Sequence, residues 1–192
     1  MGKPSITRLN TIKSITITVL LTLVLVTPGL AGIRGAEWGM SKEQVKKLEG
    51  KPKEEGEDRI IYEDLVGGLE TEVIYLFNHR NELYSITYEF LMDSKERLFM
   101  NRALNQFDRI NRILHENYGP PTSGQNYSDK EKRIGMLVLK RPIMEEWKKD
   151  EATYVRHMLL ADDMYKHSLT YGHPGLTDEY EQLLKRKEMD KL

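Results

Sequence analysis

The amino-acid sequence predicts an α+β fold in which an antiparallel β-meander sheet packs against helices. The first observation is a set of three runs of alternating apolar residues at 59–91, joined by short turns. The second is a long amphipathic segment at 94–118. The third is that a helix ending in glycine and proline is followed by strands twice along the chain. Two tandem α-βββ units are therefore expected, at 32–92 and 93–175, with a C-terminal helix at 176–192.

Residues 1–31 have the order of a secretory signal peptide. A basic start without acidic residues precedes the uncharged run Ile15–Val26, and the small residues Gly29 and Ala31 suit the −3 and −1 positions of a cleavage site. The run is shorter than the roughly 20 residues that span a bilayer. We therefore expect cleavage after Ala31 and a periplasmic or secreted protein, attached to the membrane only if the leader stays uncleaved.

Composition excludes several functional classes. The chain has 29 Lys and Arg against 30 Asp and Glu, and loss of the leader removes three bases and no acid, which leaves a net charge of about −4. Sequence-independent binding of nucleic acid needs clustered basic residues, so no nucleic-acid partner is expected. The chain has no cysteine, which excludes disulfides, thiolate metal sites and a lipid anchor on a cysteine after the cleavage site.

The first unit begins with a short helix. Ser41 is a favourable N-cap for a helix over residues 42–49, and Gly50 ends it. The apolar residues Val45 and Leu48 are expected to face the interior. A solvated loop at 53–58 comes next. The three strands of this unit are predicted at Arg59–Val66, Leu69–Phe77 and Leu83–Leu91.

The turns between these strands predict a register. A tight Gly67-Gly68 turn places Tyr62 opposite Val73, and the next hairpin places Tyr75 opposite Tyr84. One face of the sheet is then aromatic and aliphatic, and the long helix is expected to cover it. The opposite face carries polar and charged side chains.

The second unit begins with the long helix. Asp93 is its predicted N-cap and Gly119 its end. Its apolar stripe consists of Phe99, Ala103, Phe107, Ile110, Leu114 and Tyr118. Leu104 lies beside this stripe, so it is expected to tolerate substitution by aspartate better than Phe107.

Residues 122–132 are predicted to be an exposed loop.

Two clear strands follow, at Glu151–Leu160 and Tyr165–Gly172, with Pro142–Lys149 as the strand before them. A four-residue turn at 161–164 would pair Leu160 with Tyr165. The C-terminal helix is expected to start near Asp178, with Thr177 as its cap.

No constellation of catalytic residues can be assembled from this sequence. The predicted register sets His157 opposite Ser168 and His167 opposite Met158, so the two histidines would lie on opposite faces of the hairpin. No metal site is therefore expected, although His157, Asp162, Asp163, His167 and His173 are close in sequence. No serine lies in a nucleophile elbow, and no glycine-rich loop suits a phosphate. Neither a catalytic site nor a cofactor is predicted.

One segment resembles a known family. Residues 39–45 (GMSKEQV), followed by Leu48, Gly50 and Pro52, resemble the signature of the SmpA/OmlA (BamE-like) outer-membrane assembly lipoproteins. The resemblance covers mainly residues 38–52 and implies a fold similar to β-lactamase inhibitor protein, with helices packed on an antiparallel sheet. This chain differs from that family in two respects. The acylated cysteine of the family is absent, and this chain is expected to contain two units where those lipoproteins contain one.

Three functional hypotheses remain open. The first is a non-catalytic module of the cell envelope that binds another envelope protein or a peptide through its sheet face or edge, with Thr87, Glu89 and Arg156 as possible partner-binding residues. The second is a periplasmic carrier of a small ligand, held in an aromatic pocket between sheet and helices. The third is a hydrolase whose residues form no familiar motif.

Overall fold

A computed structural model describes residues 33–92, 99–124, 131, 141–161 and 165–189. The predicted leader, most of the 122–132 loop and the turn residues 162–164 lie outside these ranges. Within them, no helix combines the length and the apolar character needed to cross a membrane.

The described residues form helices on a mixed-length antiparallel sheet, which confirms the α+β prediction. The division into tandem units stays a prediction. The helices are α1 (Lys42–Glu49), α2 (Phe99–Tyr118) and α3 (Pro174–Met189). The strands are β1 (Glu54–Glu55), β2 (Arg59–Val66), β3 (Leu69–Phe77), β4 (Leu83–Phe90), β5 (Ser123–Gly124), β6 (Ile143–Asp150), β7 (Thr153–Ala161) and β8 (Tyr165–Gly172).

The eight strands make one sheet in the order β1-β2-β3-β4-β8-β7-β6-β5, with every neighbouring pair antiparallel. The first four strands therefore occupy one half and the last four the other, and β4 joins β8 at the centre. The outermost strands β1 and β5 have two residues each and lie in segments that the sequence predicts as loops.

Helix α1 forms as predicted. Ser41 and Gln44 make a reciprocal capping box, and Gly50 ends the helix with a φ of 88° that glycine adopts readily. Val45 is buried in the core, as expected. Leu48 does not follow the prediction, because 47% of it is exposed and it lies beside Gly35 of the N-terminal segment.

The hairpin of β2 and β3 has the predicted register, with Tyr62 opposite Val73. Gly67 and Gly68 both have positive φ, which suits a tight two-residue turn. The predicted pairing of Tyr75 with Tyr84 is wrong, since Ile86 is opposite Tyr75. A bulge at the start of β4 inserts one residue and shifts the pairing.

The hairpin of β7 and β8 differs from the prediction by one residue. Ala161, not Leu160, is paired with Tyr165, because the connection has three residues instead of four. A one-residue slip moves every side chain to the other face of a strand. His157 is consequently opposite Leu169 and His167 is opposite Leu159, so both histidines lie on the same face.

Helix α2 packs against β6 and β7 of the second half. Leu114 of α2 shares a core cluster with the tyrosines of the first half, as predicted, and these tyrosines also contact the end of α1. Tyr62 bonds the Gly50 carbonyl and Tyr75 bonds Glu49. The buried surface of α2 is also broader than the predicted stripe, because Leu104 is buried like Phe107. Its end at Tyr118, before Gly119 with positive φ, is as predicted.

Helix α3 begins four residues before the predicted start. Pro174 is its first residue, where a proline loses no helical hydrogen bond. His173 caps the helix through its ring Nδ1, which accepts from the Leu176 amide at 3.2 Å. Thr177 lies inside the first turn and donates to the His173 carbonyl, so it is not the cap.

Candidate functional site

The sheet has two chemically different faces. The tyrosine face, which carries Tyr62, Tyr75 and Tyr88, is buried against α1 and α2. The threonine face, which carries Thr87 and Thr170, holds mainly polar and charged side chains, most of them partly or fully exposed, although Ser85 and Ser168 are buried. Strand alternation creates the difference, because successive side chains point to opposite faces.

One row of the threonine face crosses the whole sheet. Each residue in it is the direct register partner of the next, so each of the eight strands contributes one side chain. The row is apolar at the β2–β3 end and charged at the β6–β7 end. In order it consists of Glu54, Ile61, Ile74, Thr87, Thr170, Arg156, Glu146 and Ser123.

The structure places all three predicted partner-binding residues on this face. Thr87 and Thr170 face each other across β4 and β8 with their hydroxyl oxygens 3.0 Å apart. Glu89 forms an ion pair with Lys166, with its Oε1 atom 3.0 Å from the Lys166 Nζ. Arg156 pairs with Glu146 and lies over the Tyr154 ring, 5.5 Å from its centre.

A second row on the threonine face brings carboxylates together. Glu63 is opposite Glu72, and Glu72 is opposite Glu89, an arrangement of like charges that is unfavourable by itself. Lys53 lies between the first two, with its ammonium 2.6 Å from Glu63 and 2.8 Å from Glu72. The Lys53 pKa is raised, first by the hydrogen bond to Glu63 and then by that to Glu72.

A cleft of about 590 Å³ lies between α3 and the β6–β7 end of this face. Tyr154 and Arg156 from β7 line it, as do Thr177 and Glu181 from α3. Most of its charged side chains are acidic, so it suits a polar or cationic group better than an apolar ligand. The remaining lining residues are Thr122, Glu146, Trp147, Lys148, Asp150, Glu151, Thr153, Pro174 and Asp178.

A buried pair of histidines lies on the tyrosine face beneath α2. His157 and His167 are 0% and 1% exposed, and their Nε2 atoms are 2.8 Å apart. His157 Nδ1 lies 2.7 Å from the side-chain oxygen of Asn111, and its ring stacks on Phe107 with centroids 4.1 Å apart. If His157 donates to Asn111 through Nδ1, its Nε2 accepts from the His167 Nε2–H.

Both histidines are held neutral by burial. Burial lowers the pKa of His167 to about 3. Burial and then the proximity of His167 lower the pKa of His157 well below its usual value. The prediction that His157 and His167 lie on opposite faces of the hairpin is wrong. Among the residues that the structure describes, however, no third His, Cys, Asp or Glu completes a metal-binding group.

The N-terminal segment is fixed to the fold by a second polar cluster. Arg34 donates two hydrogen bonds to Glu49, at 3.0 and 2.9 Å, and also pairs with Asp64. The Tyr75 hydroxyl donates to Glu49 at 2.5 Å. Burial alone would raise the Glu49 pKa, but the bonds from Arg34 and Tyr75 bring it below the usual value.

Sequence reasoning missed the polar residues of α2 that face the sheet. Asn111 and Gln106 are both buried, and Asn111 bonds His157. Helical spacing contained the signal, because Asn111 lies four residues after Phe107 and three before Leu114 and so shares their face. Glu145 of β6 was also missed. It lies directly opposite His157 in register and is 3.0 Å from His115 of α2.

Comparison of the chain with protein-family models, with curated proteins and with solved structures gives no match. The function is therefore argued from this geometry.

Proposed function

We propose that this protein is a non-catalytic module of the cell envelope that binds another envelope protein or a peptide. The observation that supports it best is the row of register partners from Glu54 to Ser123 on the threonine face. A face that is mainly polar and charged, with a few apolar side chains such as Ile74 in its row and Arg156 and Tyr154 together at its β7 end, has the composition of a protein-binding surface.

The tyrosine face supports this proposal over a small-ligand carrier. Tyr75 is fully buried and its hydroxyl is bonded to Glu49, while the hydroxyl of Tyr62 is bonded to the Gly50 carbonyl. The Tyr62 and Tyr75 rings meet edge to face with centroids 5.7 Å apart. Rings engaged in this way serve the core, whereas a binding pocket presents unengaged polar groups to its ligand.

The finer description of the fold is part of the proposal. In a tandem arrangement, α1 with β2–β4 and α2 with β6–β8 are two α-βββ units that share one sheet through β4 and β8. The capping box at Ser41 and the end at Gly50 give the SmpA/OmlA-like segment a structural role. A periplasmic or secreted location, reached through cleavage after Ala31, completes the proposal.

The experiment is photo-crosslinking in the cells that produce the protein. A photoreactive amino acid replaces Arg156 on the threonine face in one variant and Glu116 on the exposed side of α2 in another. We expect discrete adducts from position 156 and none from position 116. The proposal is wrong if position 156 gives no adduct, or if position 116 gives the same adducts.

Location is tested separately by mass spectrometry of the intact protein from the periplasmic and culture fractions. The proposal predicts a chain that begins at Gly32. A full-length chain recovered only with cytoplasmic proteins would contradict it.

A further inference from the structure

Within the described part of the chain, only part of the outer edge of β2 is covered by another strand. The carbonyl groups of Arg59 and Ile61 accept from the Gly56 and Lys53 amides, so the odd-numbered residues of β2 direct their backbone groups away from β3. β1 pairs with Ile60 and Ile61 only. Further along the strand, the backbone groups of Glu63 and Leu65 therefore point outward beyond the end of β1.

An exposed apolar side chain lies on β2 next to this edge, since Leu65 is 67% exposed. Leu91, just after β4 on the other side of β3, is 44% exposed. Both line a groove of about 570 Å³ at this end of the sheet, together with Thr71 and Glu70. Leu65 and Glu70 are register partners, so the groove continues the surface of the strands.

The groove is acidic. The lining residues that the structure describes include Glu63, Asp64 and Glu70 and neither lysine nor arginine. Arg34 neutralises Asp64 from the tyrosine face, and Lys53 pairs with Glu63. The Glu63 side chain remains 64% exposed, and Glu70 is exposed, so these two carboxylates can receive a further cation.

We propose that the free part of the β2 edge, Tyr62–Val66, binds an extended segment of a partner protein as an added antiparallel strand. This inference rests on the proposed function, because it names the kind of partner. Register partners share a face, so the incoming residue opposite Leu65 is aliphatic and the residue two positions later, opposite Glu63, is basic. The recognised pattern is thus aliphatic-x-basic.

Backbone bonding supplies most of the affinity in such an addition. Glu63 offers both its amide and its carbonyl group. Leu65 offers its carbonyl, because its amide already donates to the Asp64 side chain at 2.7 Å. Three main-chain hydrogen bonds are therefore available to the incoming strand.

The test uses an end-capped nine-residue peptide of serine and threonine with leucine, threonine and lysine at its centre. Binding to the whole protein is followed by fluorescence anisotropy. Glu63→Pro removes the outward amide and leaves the β2–β3 bonds in place, because proline is tolerated at a sheet edge. Glu63→Ala is the matched control, since it loses the same carboxylate and keeps the amide.

We expect the peptide to bind about tenfold more weakly to Glu63→Pro than to Glu63→Ala, because the proline variant loses one backbone hydrogen bond to the peptide. Leu65→Ser, at an exposed position, is expected to weaken binding without change in thermal stability. A peptide with glutamate in place of lysine is expected to bind less well.

Equal binding to the proline and alanine variants would overturn the inference, as would no binding to the unmodified protein. If the Glu63→Pro variant does not melt cooperatively, the Leu65→Ser variant is used for the test. The inference is also wrong if the peptide binds Leu65→Ser with unchanged affinity. Crosslinking from position 156 is read independently. Adducts from position 156 without peptide binding at β2 would refute strand addition at the β2 edge but would still support the proposed function.

Discussion

Single polar groups in this protein are important where they are buried and shared. Glu49 is the best case, because its carboxylate receives two bonds from Arg34 and one from Tyr75. It connects the N-terminal segment, the end of α1 and the centre of β3.

Replacing Glu49 is therefore expected to be costly. Glu49→Ala leaves the buried Tyr75 hydroxyl without its acceptor and leaves Arg34 paired with Asp64 alone, and a loss of about 2–3 kcal/mol in unfolding free energy is expected. Glu43→Ala in the same helix removes an exposed ion pair to Lys46 and should cost less than about 0.5 kcal/mol. Urea unfolding measures both, and equal losses would show that the cluster does not stabilise the fold.

The histidine pair predicts sensitivity to mild acid. Both histidines have a folded-state pKa below the unfolded value near 6.5, so the unfolded chain binds more protons as the pH falls. Their contribution to stability is complete above about pH 6.5 and is lost as the pH falls towards 3. By pH 5 the loss from His167 should reach about 2 kcal/mol, and His157 should lose stability in the same direction.

Thermal melts between pH 7.5 and 5 test this prediction. The variant His157→Gln with His167→Gln lacks the titrating rings and should lose much less stability over that range. The pKa values of Glu49 and Glu146 are lowered, so protonation of these carboxylates changes the stability only below about pH 4.5, outside the range of the melts. The same pH dependence in both proteins would contradict the assignment.

At the scale of elements, α2 is held to the sheet by one buried surface. Phe107 is fully buried and stacks on His157, whereas Ile113 on the same helix is 48% exposed. Phe107→Ala should lower the unfolding free energy by about 3–5 kcal/mol, and Ile113→Ala by less than about 1 kcal/mol. Comparable effects in urea titrations would show that α2 packs through a different face.

The predictability of each element depends on its local signals. The bounds of β2, β3 and β8 could be predicted to the residue because alternating apolar residues end at clear turns. The errors came from connections. The β3–β4 register is wrong by two residues, one of which is the bulge at Tyr84, and the three-residue link before Tyr165 changes the β7–β8 register by one residue. Composition does not fix turn length.

The position of α3 failed for a similar reason. Thr177 and Asp178 look like a helix start, and a proline four residues earlier looks like part of a loop. The helix begins at Pro174 because the His173 ring supplies the cap, and a histidine cap carries little signal in sequence.

At the scale of the whole molecule, the pairing of β4 with β8 determines which residues become neighbours. It brings Thr87 beside Thr170, although these residues are far apart in sequence. Local patterns predicted that Thr87, Glu89 and Arg156 leave the core, since alternation alone gives this result. The row that contains both Thr87 and Arg156 depends on the strand order, a non-local property that the periodicity of one strand does not contain.

The central claim is that the threonine face is accessible in the isolated protein and occupied by a partner in the envelope. Because the chain has no cysteine, a single introduced thiol reports on its own position. Labelling of Arg156→Cys with a maleimide is compared between the purified protein and the intact envelope, with Glu116→Cys on α2 as the reference. The claim predicts fast labelling of position 156 when purified, strong protection in the envelope, and no difference at position 116. Equal labelling of position 156 in both preparations would contradict it.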